Sequence, residues 1–556
     1  MPTDEAARFY QTHEVENQAP PLQNYDAFTE DRVLVVAVER EGGGWAQERL
    51  TEFGALMASE RVIALGFQAN ENPPILRTHD RFGHRIDEVK FHPAWHELME
   101  ISIAAELHAI PWNDPRPGAH VARSALNFLL HQVESGIGCP LTMTFAGVPA
   151  IRQQPDVADE WIPKLTSKVY DPRFLPSEQK RGALLGMAMT EKQGGSDVRT
   201  NSTRATAIGA GGPGREYLLT GHKWFCSAPM CDAFLTLAKT NVGLCCFLVP
   251  RWLPDGTKNR FFIQRLKDKL GNRSNASSEI EYSDTWARMV GEEGRGVPTI
   301  IEMVNHTRLD CVVGSAALMR QAVAQATHHA AHRRAFGRLL IDQPQMQNVL
   351  ADMALESEAA TLLMMRLARA YDEAPADESQ RRFSRIATAV SKYWICKRAP
   401  ELVVEAMESH GGAGYVEESI LPRLFRESPL NSIWEGSGNV ICLDVLRAIS
   451  REPESLEAFM DELTPARGGD KRFDRFIGDL QNELDDRNDV EYRARRLVEQ
   501  MALGLQGALM VQHAENAVAD AFLASRLNGE YGHVFGTLPT VTRFKQIIER
   551  ARPKME

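Results

Sequence analysis

The sequence predicts an α+β protein of several domains: a helical N-terminal part, a small β-barrel-like middle domain, a four-helix-bundle-like domain, and a helical C-terminal extension. Two patterns carry this expectation. Short runs of β-formers between turn residues crowd into the stretch after Gly186, and long stripes of apolar residues at helical spacing fill the chain from about Val297 onward. Length agrees, because 556 residues exceed what one compact core organises and suit three or four domains.

Residues 1–184 read as helices with long connections. Asn72-Pro73-Pro74 and FHPAW at 91–95 punctuate them, since proline fits helix starts and loops but not helix interiors. Residues 185–291 form the β domain, with strands expected at Tyr217–Leu219, Ala233–Leu237, Leu244–Val249 and Ser278–Tyr282. In the last, Ile280 and Tyr282 alternate with Glu279, Glu281 and Ser283, the period of a half-buried strand. Residues 292–450 are the bundle. Leu309, Val312, Val313, Ala316 and Ala317 share a face; so do Met346, Val349, Leu350 and Met353, and again Ile386, Ala389, Val390, Tyr393 and Trp394. Such stripes are core. The polar stretch 371–380 is the expected connection between two of these helices. Residues 451–556 make the extension, interrupted by TPARGGD at 464–470.

Composition narrows the function classes. With 43% hydrophobic and 25% charged residues the balance is that of a soluble globular protein. The N-terminus is polar and carries acids early, unlike a signal peptide, and no apolar run approaches a membrane span; a cytoplasmic location is expected. Eight cysteines without a CxxC pair read as buried thiols in a reducing compartment. A net charge of −11 argues against a surface built wholly for nucleic acid.

Several motifs are decoys. GAGGPG at 209–214 satisfies GxGxxG, but it sits between two β-type runs where a dinucleotide loop must open a helix; it reads as a hairpin tip. His92 with His96, and His328 with His332, stand one helical turn apart, and Glu100 follows His96 by one more turn; Pro93 sits inside that cluster, however, and no metal site is expected. GxxxxGK[ST], HExxH and GxSxG are all absent.

Four other stretches carry chemistry in combination. MTEKQGGSD, 189–197, places Thr190 and Ser196 around two glycines, as a polar turn or as a loop whose N–H groups approach a ligand. GHKWFCSAP, 221–229, sets flat side chains beside a bondable hydroxyl, suited to a planar heterocycle or to a core. HRRAFG, 332–337, ends a long helix with an arginine that caps it or reaches a phosphate. WEGSGN, 434–439, holds a lone carboxylate, Glu435, between an indole and a glycine turn. That is a base of raised pKa or a helix-start acid.

Taken in order, these four motifs resemble those of the acyl-CoA dehydrogenases, and the resemblance spans residues of about 90 to 450. It implies FAD as cofactor, held by Met187, Met189, Thr190, Gly195, Ser196, Phe225, Cys226, Ser227, Trp434, Gly436 and Asn439, with Arg333 and Phe336 serving a neighbouring subunit of a homotetramer. Phe225 and Ser227 stand where tryptophan and threonine are usual. The implied reaction is α,β-dehydrogenation of an acyl-CoA thioester. Glu435 takes the Cα proton, and its backbone N–H helps hold the thioester oxygen. Some members carry the base on an earlier helix, immediately before an arginine; here that place reads HTRLD, and Thr307 before Arg308 cannot act as a base. Arg308 would lie near Glu435 and the substrate. TEKQGGSD, KLGNRSNAS at 269–277, NPP with FHPAWH, and the tail resemble the AidB branch more closely. Members of that branch are tied to the response to DNA alkylation, have weak or uncertain dehydrogenase activity, and bind double-stranded DNA through the added C-terminal region. DNA contacts would fall on Arg543, Lys545, Arg550 and Arg552, with Arg493, Arg495 and Arg496 as a second basic knot. Residues 451–556 nevertheless hold 15 Lys+Arg against 19 Asp+Glu, so this tail is no basic arm.

Overall fold

A β-hairpin interrupts the helical N-terminal part. In the computed structural model, which describes residues 12–555, helices α1 (Arg32–Arg40), α2 (Gln47–Met57) and α3 (Glu60–Glu71) lead to strands β1 (Ile75–His79) and β2 (Arg85–Lys90). Helices α4 (Pro93–Ala104), α5 (Ala119–His131), α6 (Gly138–Ile151) and α7 (Pro155–Leu165) follow. The prolines read as loop punctuation therefore bracket the hairpin, which corrects an all-helical expectation. Its strands are mostly half-exposed, so apolar alternation is too weak to announce them. The hairpin latches onto the β domain: Arg85 donates to the Ile263 carbonyl at 2.8 Å, and buried Arg251 donates to that of Asp87 at 3.0 Å.

The middle domain comprises β3 (Leu185–Ala188), β4 (Arg204–Ala207), β5 (Glu216–Ser227), β6 (Ala233–Lys239), β7 (Leu244–Pro250), β8 (Phe261–Leu266) and β9 (Ser277–Val290). Strand β5 pairs with β9, β9 with β7, β7 with β6, and β6 through β3 and β4 back to β5, so the sheet closes on itself as the sequence predicted. GAGGPG is the tip of the β4–β5 connection, with Gly209 and Gly214 at φ +76° and +71°.

The bundle consists of α8 (Gly296–His332), α9 (Pro344–Glu373), α10 (Glu378–Ser409), α11 (Leu421–Glu427) and α12 (Gly438–Arg451). All three predicted stripes lie on α8, α9 and α10 and are largely buried. The polar connection is shorter than expected, because α9 continues to Glu373 and buries Tyr371, whose hydroxyl donates to the Asn305 carbonyl at 2.9 Å.

Helices α13 (Pro453–Leu463), α14 (Lys471–Asp485), α15 (Val490–His513), α16 (Asn516–Phe522) and α17 (Phe544–Ala551) form the extension, with the glycine break between α13 and α14. Buried ion pairs dock it on the bundle. Arg526 reaches Asp352 at 2.5 Å and Glu356 at 3.1 Å, and Arg550 reaches Glu358 at 3.1 Å and Glu515 at 2.6 Å. Arg550→Ala would leave Glu358 buried without its cation. It is expected to lower the apparent Tm by several degrees, measured by thermal unfolding, whereas Lys545→Ala on the exposed face of α17 should leave it unchanged.

Candidate active site

Glu435 closes the turn between α11 and α12, half-buried, in the left-handed region at φ +57°. A non-glycine residue there is costly and persists only where its surroundings hold it. Three consecutive carbonyls show how. Lys392 of α10, itself buried, donates to Trp434 O at 2.8 Å and to Gly436 O, while Arg308 of α8 donates through Nε to Glu435 O at 3.0 Å. Asp444 of α12 fixes Arg308 in turn, accepting from Nη1 at 2.8 Å, and is shared with Arg385 at 3.2 Å. Gly436 follows at φ +113°, where an added Cβ would lie 2.9 Å from Ile441. The Trp434 indole donates to Asn431 Oδ1 at 2.9 Å, which completes the turn.

The carboxyl itself accepts one side-chain hydrogen bond, from Thr307 Oγ1 to Oε2 at 2.7 Å. Burial raises the pKa of Glu435, opposed first by that hydrogen bond and then by the charges of Arg308 and Lys392. Cys139 of α6 and Cys311 of α8 stand close to it, both buried with thiol pKa values pushed up by desolvation, so both remain neutral thiols. Among the described residues the Glu435 N–H donates to nothing within the chain. The result is a carboxyl with raised pKa beside an unpartnered backbone donor.

One face of the β domain carries the other candidate residues. The register of β5 against β9 shifts between Lys223 and Cys226, a bulge that puts two successive residues outward. Lys223 is buried, Trp224 and Phe225 face out, Cys226 is buried and Ser227 faces out, with Phe225 48% exposed. This corrects the expectation for Cys226, whose side chain points into the barrel rather than towards a cofactor. Met187 and Met189 flank inward Ala188 on the same outer side, and Met187 pairs with Ser227. Lys267 stacks on Trp224, its ammonium 3.3 Å from the ring centroid.

The TEKQGGSD loop is anchored beneath this face. Glu191 and Lys223 form a 2.8 Å ion pair with both side chains fully buried, and Glu191 also accepts from Gln193, Ser202 and Thr203. These contacts hold Glu191 well below the ordinary carboxylate range, while burial brings Lys223 down to about 8. The Thr190 carbonyl accepts from Trp224 N at 2.8 Å, and an added Cβ on Gly195 would collide with the Thr190 hydroxyl at 2.4 Å. Thr190, Gly195 and Ser196 are thus held at the edge of the outer face.

Arg333 and Phe336 lie far from this constellation. From Thr307 to Arg333 the chain runs 26 residues along and just past α8, which at helical rise is ~39 Å. Phe336 is 98% exposed at a hairpin tip. Asn439, also exposed, accepts from Arg495 of α15 at 2.8 Å. Arg493 and Arg496 both pair with Glu483, Arg550 is taken up in docking, and half-buried Arg552 pairs with Glu549; Arg543 and Lys545 remain exposed. No group of His, Cys, Asp and Glu among the described residues could hold a metal, and no helix there is long and apolar enough to cross a membrane. His92 caps α4, and His96 hydrogen-bonds Tyr170 at 2.8 Å.

Comparison with known proteins resolves the family. Residues 17–172 match the model of the adaptive response protein AidB N-terminal domain, 186–285 that of the acyl-CoA dehydrogenase middle domain, and 294–450 that of the acyl-CoA dehydrogenase C-terminal domain. The chain is 47% identical over 526 residues to "Putative acyl-CoA dehydrogenase AidB" of Escherichia coli, covering 94% of this chain and 96% of that one. It belongs to the AidB branch of the acyl-CoA dehydrogenase family. Acyl-CoA dehydrogenase family member 11 of Caenorhabditis elegans is 29% identical over 518 residues, 90% of this chain and 80% of that one. The crystal structure of C. elegans ACDH-11 with C11-CoA superposes with a TM-score of 0.86 at 27% identity, covering 95% of each chain. Sequence reasoning singled out Glu435, Arg308 and the outer-face residues as candidates. It missed Lys392 and the Glu191–Lys223 anchor. A lysine within the apolar stripe of α10, and a Glu adjoining Thr190 with a Lys adjoining Trp224, were the signals available.

Proposed function

We propose that the protein is an FAD-dependent acyl-CoA dehydrogenase that removes the Cα proton of a saturated acyl-CoA with Glu435. One observation carries this reading: a carboxyl of raised pKa, on a turn whose three carbonyls are each held by a buried cation, next to a backbone N–H with no partner. Such rigidity suits proton abstraction, which requires a base held at one place and poised near neutral pH. The free Glu435 N–H suits the thioester oxygen, where negative charge grows as the Cα proton leaves.

The residues fit FAD. The bulge of β5 presents exposed Phe225 beside the Ser227 hydroxyl, Met187 and Met189 supply apolar surface, and the anchored loop offers Thr190, Gly195 and Ser196. Trp434, Gly436 and Asn439 approach from the bundle side. FAD, when bound, supplies the hydride acceptor. Arg333 and Phe336, being ~39 Å along α8 from Thr307, would serve the site of another copy, in line with a homotetramer. The acyl-CoA class is supported by the C. elegans relative solved with C11-CoA.

The purified protein is expected to be yellow, with FAD released on denaturation and so not covalently bound. Anaerobic addition of saturated acyl-CoAs of graded length should bleach the flavin with at least one member of the series. A colourless protein that takes up no added FAD would refute the cofactor. A yellow protein that no acyl-CoA bleaches would refute the reaction.

A further inference from the structure

Thr307 has one hydroxyl proton and two acceptors for it. Its Oγ1 lies 2.9 Å from the Val304 carbonyl in its own helix and 2.7 Å from Oε2 of Glu435 across the site. A hydroxyl donates to one acceptor at a time, and it can accept while it donates. Thr307 is only 4% exposed, which leaves little room for water to take its place.

We propose that Thr307 is a positioning residue that follows the protonation state of Glu435. Before proton abstraction it gives its hydrogen bond to the carboxylate. Afterwards the new carboxyl O–H of Glu435 points at Thr307 Oγ1, and the Thr307 proton turns to the Val304 carbonyl. No covalent bond of Thr307 changes; only its O–H rotates. The inference rests on the reading of Glu435 as base.

The surroundings leave this task to Thr307. Arg308 on α8 donates through Nε to Glu435 O and through Nη1 to Asp444, Lys392 on α10 donates to Trp434 O and Gly436 O, and neither donates to the carboxyl. Cys139 on α6 and Cys311 on α8, whose ionisation the Glu435 charge opposes, are neutral thiols. Among the described residues Thr307 is the one side chain that donates to the carboxylate. Without it the charged form loses a charge-assisted hydrogen bond and the protonated form only a weaker neutral one, so the charged form loses more.

The test uses the full-length flavoprotein in four forms: wild type, Thr307→Val, which keeps the shape without the hydroxyl, Thr307→Ala as a second hydroxyl-free form, and Thr307→Ser, which restores the hydroxyl. The protonated carboxyl of Glu435 is followed across pH by its infrared carbonyl stretch, each form against the same form carrying Glu435→Gln. Both hydroxyl-free forms should titrate about one pH unit higher than wild type, a tenfold change in the protonation constant, and Thr307→Ser should return to the wild-type midpoint. The acid limb of C11-CoA-driven bleaching should move upward by the same amount. Equal midpoints in all four forms, or a shift shared by Thr307→Ser, would overturn the proposal. Bleaching that survives Glu435→Gln would instead remove Glu435 as base, while the infrared midpoints still report on Thr307.

Discussion

Glu435→Gln is expected to lower the rate of acyl-CoA-driven flavin bleaching by about a hundred- to ten-thousand-fold, the usual worth of a positioned general base. Gln keeps the length of Glu, and its carbonyl oxygen can still accept from Thr307. The clamps from Lys392 and Arg308 act on backbone carbonyls, so the turn should hold its shape after the change. Only the ability to take a proton is lost. The loss should therefore fall on the chemical step, with FAD content and acyl-CoA binding close to wild type. Stopped-flow absorbance under anaerobic conditions separates the two. A variant that bleaches at the wild-type rate would place the base elsewhere, and one that loses FAD would show that the turn, not the proton, had been disturbed.

Lys223→Met is expected to cost about 3–5 kcal/mol of stability at neutral pH, because it leaves Glu191 charged and fully buried without its cation. Hydrogen bonds from Gln193, Ser202 and Thr203 remain, but they are dipoles and replace only part of a full charge. Glu191 lies in the loop that bears Thr190, Gly195 and Ser196, so FAD affinity should fall together with the thermal midpoint. The double variant Glu191→Gln/Lys223→Met removes both charges and should recover much of the lost stability. Thermal unfolding and FAD titration of the three proteins check both statements. An unchanged midpoint in the single variant would mean that the pair contributes nothing to the anchor.

The bundle was legible in the sequence because a core stripe repeats every three to four residues and α8, α9 and α10 are long enough to show it many times. The barrel was legible through short runs of β-formers between turn residues, with period-two alternation read in β9 alone. The N-terminal hairpin was not, since its strands are short and half-exposed, and turn residues look alike whether they flank helices or strands. In the site, Glu435 and the Thr190–Ser196 loop stood out through their glycines. Cys226 was misplaced because a bulge is a local count of residues against a partner strand, and one strand's sequence does not contain that count. The docking role of Arg550 was not legible for a related reason: it reads as a surface charge until Glu358, 192 residues away, is brought beside it.

The left-handed backbone of Glu435 sets fitness for folding against fitness for chemistry at one position. A residue with a side chain is held there at roughly 1–2 kcal/mol above its relaxed conformation, a cost that glycine would not incur. Replacement by glycine would relieve that strain and remove the half-buried acid of the turn at the same moment. A screen for heat resistance alone therefore does not protect the proposed base. Any effort to harden this protein must keep a readout of turnover beside its readout of unfolding.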